Sequence, residues 1–470
     1  MIGEQMIRWT SMQSSRRSIL AAAAAPLFAL QKGQNRPNIV WILGDDLGPQ
    51  LGCYGHPLVA TPNADKIAAE GVRFTHCFTT APVCSPSRSA WNTGVYQTTS
   101  GTQNHRSHRK DDYRLPEGIR LVSHRLQDAG YFTANVTEPV PGMRVPGKTD
   151  FNFKTDQPPF MGKHWRECPK GQPFYAQINF TAPHKGPVWP AARKRKPLVD
   201  PAAVELPPYY PDHPVVRDEV ANYLDAVNYW DMQVGAVIEA LKADGLLENT
   251  VIFVFGDNGR CLLRGKQWLY DAGTHVPLLV RWPGVVKPGT VRHDPVIALD
   301  ITATTLEIAG VPQPKPMHGQ SLFTAKQPRK HVFTARDRCD MTVDRIRAVR
   351  DERYKLIRNF MPERPYTQFN EYITNSYPTQ KVIQQLHAEG KLNAVQSQWM
   401  AKRKPAVELY DHRSDPHEVN NLAGDPKHKA AQKRLTALLD KWIDAAHDRG
   451  RTLESRETPE RDEPRANGPV

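Results

Sequence analysis

The sequence predicts an α/β fold, with a mixed, mostly parallel sheet sandwiched by helices and a smaller α+β domain at the C-terminal end. Three continuous apolar runs that end in polar residues are typical of buried parallel strands. A long amphipathic segment between the second and third runs is typical of a covering helix. The 470 residues, 24% charged and 39% hydrophobic, suit one large and one smaller globular domain.

The three apolar runs are residues 38–44, 174–180 and 250–256, and residues 277–282 form a predicted fourth strand. A helix is predicted from Thr61, with Pro62 at its first position, towards Gly71, and a strand resumes after it. Apolar residues recur at near-helical spacing through 221–241, and Gly245 ends that helix. Strands that alternate with helices indicate helices on both faces of the sheet.

The pattern changes near His331 to short strands, at residues 345–350 and 354–358, followed by a helix near 430–446. We therefore expect a large domain over residues 36–330 and a smaller one over 331–450. The tail, residues 451–470, is charged and contains proline, so we expect it to be disordered.

Residues 1–35 are expected to be an export signal and a linker. Arg16 and Arg17 precede the apolar, alanine-rich stretch 21–30, and the paired arginines resemble a twin-arginine signal. The protein is therefore predicted to be exported, either periplasmic or secreted. No apolar run reaches the roughly 18 residues of a membrane span, so none is expected. Six cysteines in so long a chain do not indicate a disulfide framework.

The formal net charge is +13, from 62 Lys and Arg against 49 Asp and Glu. A basic surface attracts polyanions, and composition alone does not separate nucleic acid from a sulfated or carboxylated polysaccharide. The basic run 193–196 is either a solvated loop or a contact for an anionic polymer.

Polar side chains follow all three buried strands at the point where each ends. Asp45 and Asp46 follow the first strand, His184 the second, and Asp257 and Asn258 the third. Ligands in such folds collect at the carboxyl ends of strands, and oxygen donors suit hard cations such as Ca²⁺. Without a cation, carboxylates gathered there would repel one another. The alternative is that each of these residues only forms a turn.

The segment from Cys84 to Arg88 carries a second chemical signal, Cys-Ser-Pro-Ser-Arg. A bare thiol would need a partnering base to act as a nucleophile. The segment instead resembles the Cys-x-Pro-x-Arg motif of the formylglycine-dependent (type I) sulfatases, in the alkaline phosphatase superfamily. Further ordered resemblances run from Arg36 to about Ala423, in segments 36–48, 61–74, 93–94, 256–259, 265–278 and 408–423.

The resemblance implies an alkaline-phosphatase-like fold and a nucleophile made by oxidation of Cys84 to formylglycine (3-oxoalanine). A formylglycine-generating or anaerobic sulfatase-maturating enzyme would be the partner that performs this oxidation. In the family, one hydroxyl of the hydrated aldehyde attacks sulfur and the other later expels sulfate. Arg88 is then expected to anchor the hydrated group.

The resemblance also assigns the surrounding residues. It implies Ca²⁺, with Mg²⁺ as the alternative, bound by Asp45, Asp46, Asp257, Asn258 and the modified Cys84. It implies that Lys266 holds sulfate and that His184 donates the proton to the leaving oxygen. Taken alone, a histidine after a strand more often has a structural hydrogen-bonding role.

One segment departs from the family pattern, which has Gly-Lys-x-His where this chain has Gly-Lys-Thr-Asp. Lys148 is carried over as a contact of sulfate or formylglycine, but Asp150 stands in the place of the histidine. The base that triggers sulfate elimination is then Asp150, His105 or His108. His105 lies in the polar cluster 104–109, which we expect to line the substrate pocket; the alternative is an exposed loop.

Residues 347–362 and 408–418 look most like the heparan N-sulfatases (N-sulfoglucosamine sulfohydrolases). The expected substrate is a sulfated glycan or a small sulfate ester, with N-sulfoglucosamine first and an O-sulfated polysaccharide close behind, and not nucleic acid. One alternative is a phosphomonoester or phosphodiester hydrolase of the same superfamily. The other is a non-catalytic homologue that binds polyanions.

Overall fold

The computed structural model describes residues 36–108 and 111–453. The predicted export signal, residues 1–35, and residues 454–470 of the predicted disordered tail lie outside this range. The described residues belong to one compact unit.

Twelve strands are present in the described residues: β1 (Asn38–Asp45), β2 (Val72–Phe78), β3 (Phe132–Val136), β4 (Phe174–Pro183), β5 (Thr250–Gly256), β6 (His275–Arg281), β7 (Thr290–Arg292), β8 (Val296–Ile297), β9 (His331–Arg336), β10 (Ile346–Asp351), β11 (Tyr354–Asn359) and β12 (Val407–Asp411).

Twelve α-helices are present in the same residues: α1 (Pro62–Glu70), α2 (Cys84–Thr93), α3 (Gln97–Ser100), α4 (Val122–Asp128), α5 (Val188–Arg193), α6 (Pro214–Ala243), α7 (Asp271–Thr274), α8 (Leu299–Ile308), α9 (Glu371–Ser376), α10 (Pro378–Ala388), α11 (Ala394–Ser397) and α12 (Lys429–Ala445). None of these helices combines the length and the apolar character that crossing a bilayer would require.

The first sheet has eight strands, in the order β3-β4-β1-β5-β6-β2-β7, with β8 beside β2. β1 pairs in parallel with β4 and with β5. β6 runs antiparallel to both β5 and β2. The predicted mixed, mostly parallel sheet is therefore confirmed.

Side chains on β1 alternate between two cores, because successive residues of a strand point to opposite faces. Val40 and Ile42 belong to the core that includes α1 and α6. Trp41 and Leu43 belong to the core that includes α2, α4 and α8. A strand buried on both faces must be apolar at nearly every position, which explains the continuous apolar runs in the sequence.

The start of α1 differs in one respect from the prediction. Thr61 occupies the N-cap position, but its hydroxyl accepts a hydrogen bond from the backbone N–H of Gly52 instead of capping the helix. Asp231 of α6 caps it from a distance, accepting from the backbone N–H groups of Asn63 and Ala64 at 3.2 and 2.8 Å. This contact also fixes α1 against α6.

The second sheet is antiparallel, in the order β12-β11-β10-β9, and it begins at His331, where the sequence pattern changes. Leu435 and Leu439 of α12 share a core with Val349 and Leu356 of this sheet. The predicted small α+β region is thus present, while a domain boundary at residue 330 stays a prediction.

The basic connection predicted between β4 and α6 contains a helix, α5, that ends within the basic run. Arg193 is paired with Asp225 at 2.8 Å and lies 3.7 Å from Asp218, so its charge is offset by α6. Lys194 and Lys196 are exposed. The run is therefore part helix and part solvated turn.

Candidate active site

Three adjacent strands deliver polar residues to one edge of the first sheet. β1 lies between β4 and β5, with Gly44 opposite Gly256 and Asp45 opposite Pro183. Gly256 has to be a glycine because an added Cβ would lie 2.2 Å from the backbone oxygen of Leu47. This close approach holds the turn after β1 against the end of β5.

The carboxylates of Asp45, Asp46 and Asp257 meet at this edge, with ligand atoms that all lie within 4.8 Å of one another. All three residues are fully buried. Burial and then the charge of Asp45 raise the pKa of Asp257 to about 7. The cluster is therefore crowded with negative charge, and a bound cation would relieve that repulsion.

Asn258 completes the acidic cluster and leaves one oxygen unsatisfied. Its side-chain amide donates to Asp46 Oδ1 at 2.7 Å, and its backbone N–H donates to Asp257 Oδ1 at 2.8 Å. Its Oδ1 atom is buried and has no hydrogen-bond partner among the described residues. A buried, unpartnered oxygen next to three carboxylates fits the ligand set of a hard cation such as Ca²⁺.

Cys84 is the first residue of α2 and lies beside the acidic cluster. Its Sγ atom is 3.4 Å from Asp45 Oδ1 and 3.9 Å from Asp46 Oδ1. Burial and then the charge of Asp45 raise the pKa of the Cys84 thiol well above its ordinary value. The unmodified residue is therefore a protonated thiol, which is a poor nucleophile.

Arg88 lies one helical turn after Cys84 and is fully buried. Its guanidinium donates to Asp257 Oδ2 at 2.9 Å and to Asn179 Oδ1 at 2.8 Å. A third bond runs to the backbone oxygen of Lys148 at 3.1 Å. Arg88 thus joins α2, the strand β4, the end of β5 and the Lys148 loop in one network.

Two lysines face the carboxylates from separate loops. Lys148 Nζ donates to Asp45 Oδ2 at 2.7 Å, and Lys266 Nζ donates to Asp46 Oδ2 at 2.8 Å. Burial alone would raise the pKa of Asp45, but the charge of Lys148, followed by that of His184, holds it well below its ordinary value. Both ammonium groups can therefore attract an anionic group to the position of Cys84.

His184 follows β4, and its Nε2 atom lies 3.6 Å from Asp46 Oδ2. Burial and then the charge of Lys266 lower the pKa of His184 to about 4. The structure therefore brings together the residues predicted to bind metal or sulfate or to protonate the leaving group, namely Asp45, Asp46, Cys84, Lys148, His184, Asp257, Asn258 and Lys266. Their chemical roles stay predictions.

The loop that carries Lys266 is held in an unusual backbone conformation. Arg264 and Gln267 on either side of it have φ values of 65° and 72°. The backbone N–H of Gln267 donates to the oxygen of Pro82 at 2.7 Å, which ties this loop to the segment before Cys84. Positive φ at such residues is costly, and it is typical of functional loops.

Asp150, which stands in the place of the expected histidine, is close to Lys148. Its carboxylate lies 3.8 Å from Lys148 Nζ and 3.7 Å from the Arg106 guanidinium. The residue has a φ of 52°, so its backbone is also strained. Its position keeps it a candidate for the missing base.

The cluster 104–108 packs against the nucleophile helix. The backbone N–H of Arg106 donates to Ser85 Oγ at 2.7 Å. His105 is 3% exposed, and its Nδ1 atom lies 2.9 Å from Asp340 Oδ1. His108 instead pairs with the exposed Asp111 and stacks on a tyrosine ring. Of these two histidines, the buried His105 is better placed to line the substrate pocket or to act as the missing base. Both roles stay predictions.

Two positioning residues escaped the sequence analysis. Asn179 accepts from Arg88 and donates to Asn135 Oδ1 at 3.1 Å. Asn135 in turn donates to the backbone oxygen of Gly147, next to Lys148, at 2.6 Å. Asn179 is a buried polar position in the mostly apolar strand β4, and that pattern could have identified it.

Two family models match this chain. The family model described as Sulfatase matches residues 37–140 and 161–311. The model described as N-sulphoglucosamine sulphohydrolase, C-terminal, matches residues 260–404.

Individual relatives match most of the chain. An ulvan-active sulfatase of Formosa agariphila is 32% identical, over 89% of this chain and 77% of its own length. The N-sulphoglucosamine sulphohydrolase of Homo sapiens is 27% identical, over 91% and 94%. A solved structure in complex with its substrate, D-glucosamine-2-N,6-O-disulfate, has a TM-score of 0.63 at 19% identity, over 91% of this chain and 100% of that chain.

Calcium should stabilise the metal-free protein, because a cation bound only by the folded state raises the free energy of unfolding. We expect Ca²⁺ added after chelation to raise the thermal unfolding midpoint by a few degrees. Asn258→Ala should need at least ten times more Ca²⁺ than the wild type for the same rise in the unfolding midpoint. The control Asp212→Asn, at an exposed site, should respond like the wild type. Equal responses of Asn258→Ala and the wild type would contradict this cation site.

His105 should make folding sensitive to acid. Burial, partly offset by Asp340, lowers its pKa from 6.5 to about 4, so the unfolded state binds its proton more readily. The stability that it contributes is present above about pH 6.5 and is lost as the pH falls towards 4. We expect His105→Gln to lose less stability than the wild type in urea unfolding between those pH values. His108→Gln, in the same cluster, is the matched control. If the free energy of unfolding falls equally with pH in His105→Gln and in the wild type, His105 is not the group responsible.

Proposed function

The chain belongs to the sulfatase family and is a sulfuric ester hydrolase, and from this premise we propose that it removes sulfate from a sulfated glycan, with Cys84 oxidised to formylglycine as its nucleophile. One observation carries the proposal. Cys84 Sγ lies 3.4 Å from a carboxylate oxygen of Asp45, at the centre of a buried cluster of acids and cations.

The acidic cluster would hold the divalent cation that the family generally requires. The ligands would be Asp45, Asp46, Asp257 and Asn258, together with the modified Cys84. Bound there, Ca²⁺ or Mg²⁺ would polarise the sulfonyl oxygens and stabilise the charge that develops on them. Formylglycine would supply a hydrated aldehyde, whose second hydroxyl allows sulfate to be released.

The two lysines would bind the sulfate group. Lys148 and Lys266 donate to Asp45 and Asp46, and both carboxylates are also the proposed cation ligands. An anionic sulfate group above Cys84 would give each ammonium group a further acceptor. Fixed, buried cations of this kind stabilise developing negative charge without reorganising during the reaction.

His184 would protonate the leaving atom, which is an oxygen in an O-sulfated sugar and a nitrogen in an N-sulfated sugar. It enters the cluster from the end of β4, on the side where Lys266 also contacts Asp46. Burial and the charge of Lys266 disfavour the protonated ring. An anionic sulfate group bound beside it would offset that charge and favour the protonated form that a general acid needs.

A sulfated glycan is the substrate class that the relatives' names support. One relative is named for ulvan and another for N-sulphoglucosamine, and a C-terminal model with the latter name covers residues 260–404. We therefore rank N-sulfoglucosamine first and an O-sulfated polysaccharide second. We also propose that the protein is exported and that a maturation enzyme oxidises Cys84.

Maturation and activity can be tested on the same sample. In natively produced protein, the peptide that contains Cys84 should be about 18 Da lighter than the cysteine form, because an aldehyde oxygen replaces the thiol. The same protein should release sulfate from an N-sulfated or an O-sulfated disaccharide when Ca²⁺ is present. Peptide mass spectrometry and a sulfate-release assay provide the two measurements.

Two variants control this experiment. Cys84→Ala should show neither the mass change nor sulfate release, whereas Cys53→Ala should retain both. An unmodified Cys84 together with no sulfate release from either disaccharide would contradict the proposal. Faster hydrolysis of an aryl phosphate than of any sulfate ester would assign the site to phosphate esters.

The role of His184 predicts a dependence on the leaving group. A sugar hydroxyl or amine leaves poorly without a proton, whereas a nitrophenolate leaves well without one. We expect His184→Ala to lower kcat/KM for a sulfated sugar by about 10²- to 10⁴-fold, and for 4-nitrophenyl sulfate by much less. His387→Ala, at an exposed position of α10, is the control. Equal losses on both substrates would show that His184 does not act as the acid.

A further inference from the structure

A tyrosine from the C-terminal half of the chain reaches the candidate active site. Tyr372 belongs to α9, which is anchored by its N-cap residue, Asn370. The side chain of Asn370 accepts from the backbone N–H of Ile373 at 3.1 Å and donates to Thr342 Oγ1 at 3.0 Å. Asn370 is also 2% exposed. The start of α9 is therefore held firmly against the turn after β9.

The Tyr372 ring lies beside two of the proposed catalytic residues at once. Its centroid is 5.3 Å from Lys266 Nζ and 5.9 Å from the centre of the His184 ring. Its edge packs against Tyr377 at 5.5 Å. The residue is only partly buried, so part of its surface remains accessible.

This position is defined by the chemistry of the neighbouring groups. Lys266 is proposed to hold sulfate, and His184 is proposed to protonate the oxygen or nitrogen that leaves with the sugar. An aromatic ring beside both Lys266 and His184 therefore lies where the sulfate group is joined to the sugar. Sugar rings present C–H faces, which pack well on aromatic side chains.

We propose that Tyr372 is a specificity-determining residue, which packs against the sugar ring that carries the scissile sulfate. The inference rests on the proposed function and extends it from the sulfate group to the leaving group. The hydroxyl of Tyr372 lies 3.5 Å from the backbone oxygen of Lys185, the residue after His184, so the ring also lies beside that segment.

A purely structural role makes a different prediction. In that role, Tyr372 would serve only to hold Lys266 in place, through the attraction between its ring and the ammonium group. In that case, its removal would weaken the binding of sulfate itself. If the ring packs on sugar, its removal weakens the binding of the sugar and leaves the binding of inorganic sulfate unchanged.

The experiment uses the matured, Ca²⁺-loaded enzyme and four proteins: the wild type, Tyr372→Phe, Tyr372→Leu and the control Tyr229→Ala. Tyr229 is a partly exposed tyrosine on α6 that lies against Arg195. Three constants are measured for each: KM for the sulfated sugar, Ki for the desulfated sugar, and Ki for inorganic sulfate. The leucine variant retains apolar volume, and thermal unfolding checks that it folds.

Tyr372→Leu should raise KM for the sulfated sugar and Ki for the desulfated sugar by about threefold to tenfold. Its Ki for sulfate should equal that of the wild type. Tyr372→Phe and Tyr229→Ala should have the same three constants as the wild type. An unchanged KM in Tyr372→Leu, with sulfate release intact, would overturn this inference alone. A raised Ki for sulfate would overturn it in favour of support for Lys266. If the wild type releases no sulfate, both the proposed function and this inference are wrong.

Discussion

The site depends on the burial of three carboxylates at the ends of adjacent strands. Asp45, Asp46 and Asp257 are fully buried, and carboxylates in such an environment are costly unless cations face them. Lys148, Lys266 and Arg88 supply those cations, each from a different part of the chain. The cluster is not uniform, because the pKa of Asp45 is held well below its ordinary value while that of Asp257 is raised to about 7. Arg88 contacts both carboxylates and so links these two environments.

The cluster can stay in place because rigid elements hold it. The strands β1, β4 and β5 set the spacing of its acids, and α2 carries Cys84 and Arg88 on successive turns. The two lysine loops are less regular, and each is fastened to this frame by hydrogen bonds. Asn135 holds the loop of Lys148, and Gln267 ties the loop of Lys266 to the segment before Cys84. The positive φ values in these loops show that their conformation follows the needs of the site more than local preference.

The sequence alone was enough for the sheet and for most of the cluster, because both follow from local patterns. Apolar runs mark strands buried on both faces, and polar residues directly after them must meet where parallel strands end. It was not enough for contacts between distant segments. The capping of α1 by Asp231, the pairing of His105 with Asp340, and the approach of Tyr372 to Lys266 each join residues more than 100 positions apart. No periodicity in the sequence records such contacts, because they depend on how whole elements pack.

The same charges that make the cluster suitable for a cation make it unsuitable for a cysteine nucleophile. A reactive thiolate needs an electropositive surrounding, whereas Cys84 is buried and its Sγ lies 3.4 Å from Asp45. Removing the carboxylates would favour the thiolate but would also remove the ligands for a cation. A neutral aldehyde at this position would avoid the conflict, because it needs no thiolate and its hydrate would offer oxygen to a cation. The proposed oxidation of Cys84 would therefore let one small, buried cluster bind a cation and carry a nucleophile together.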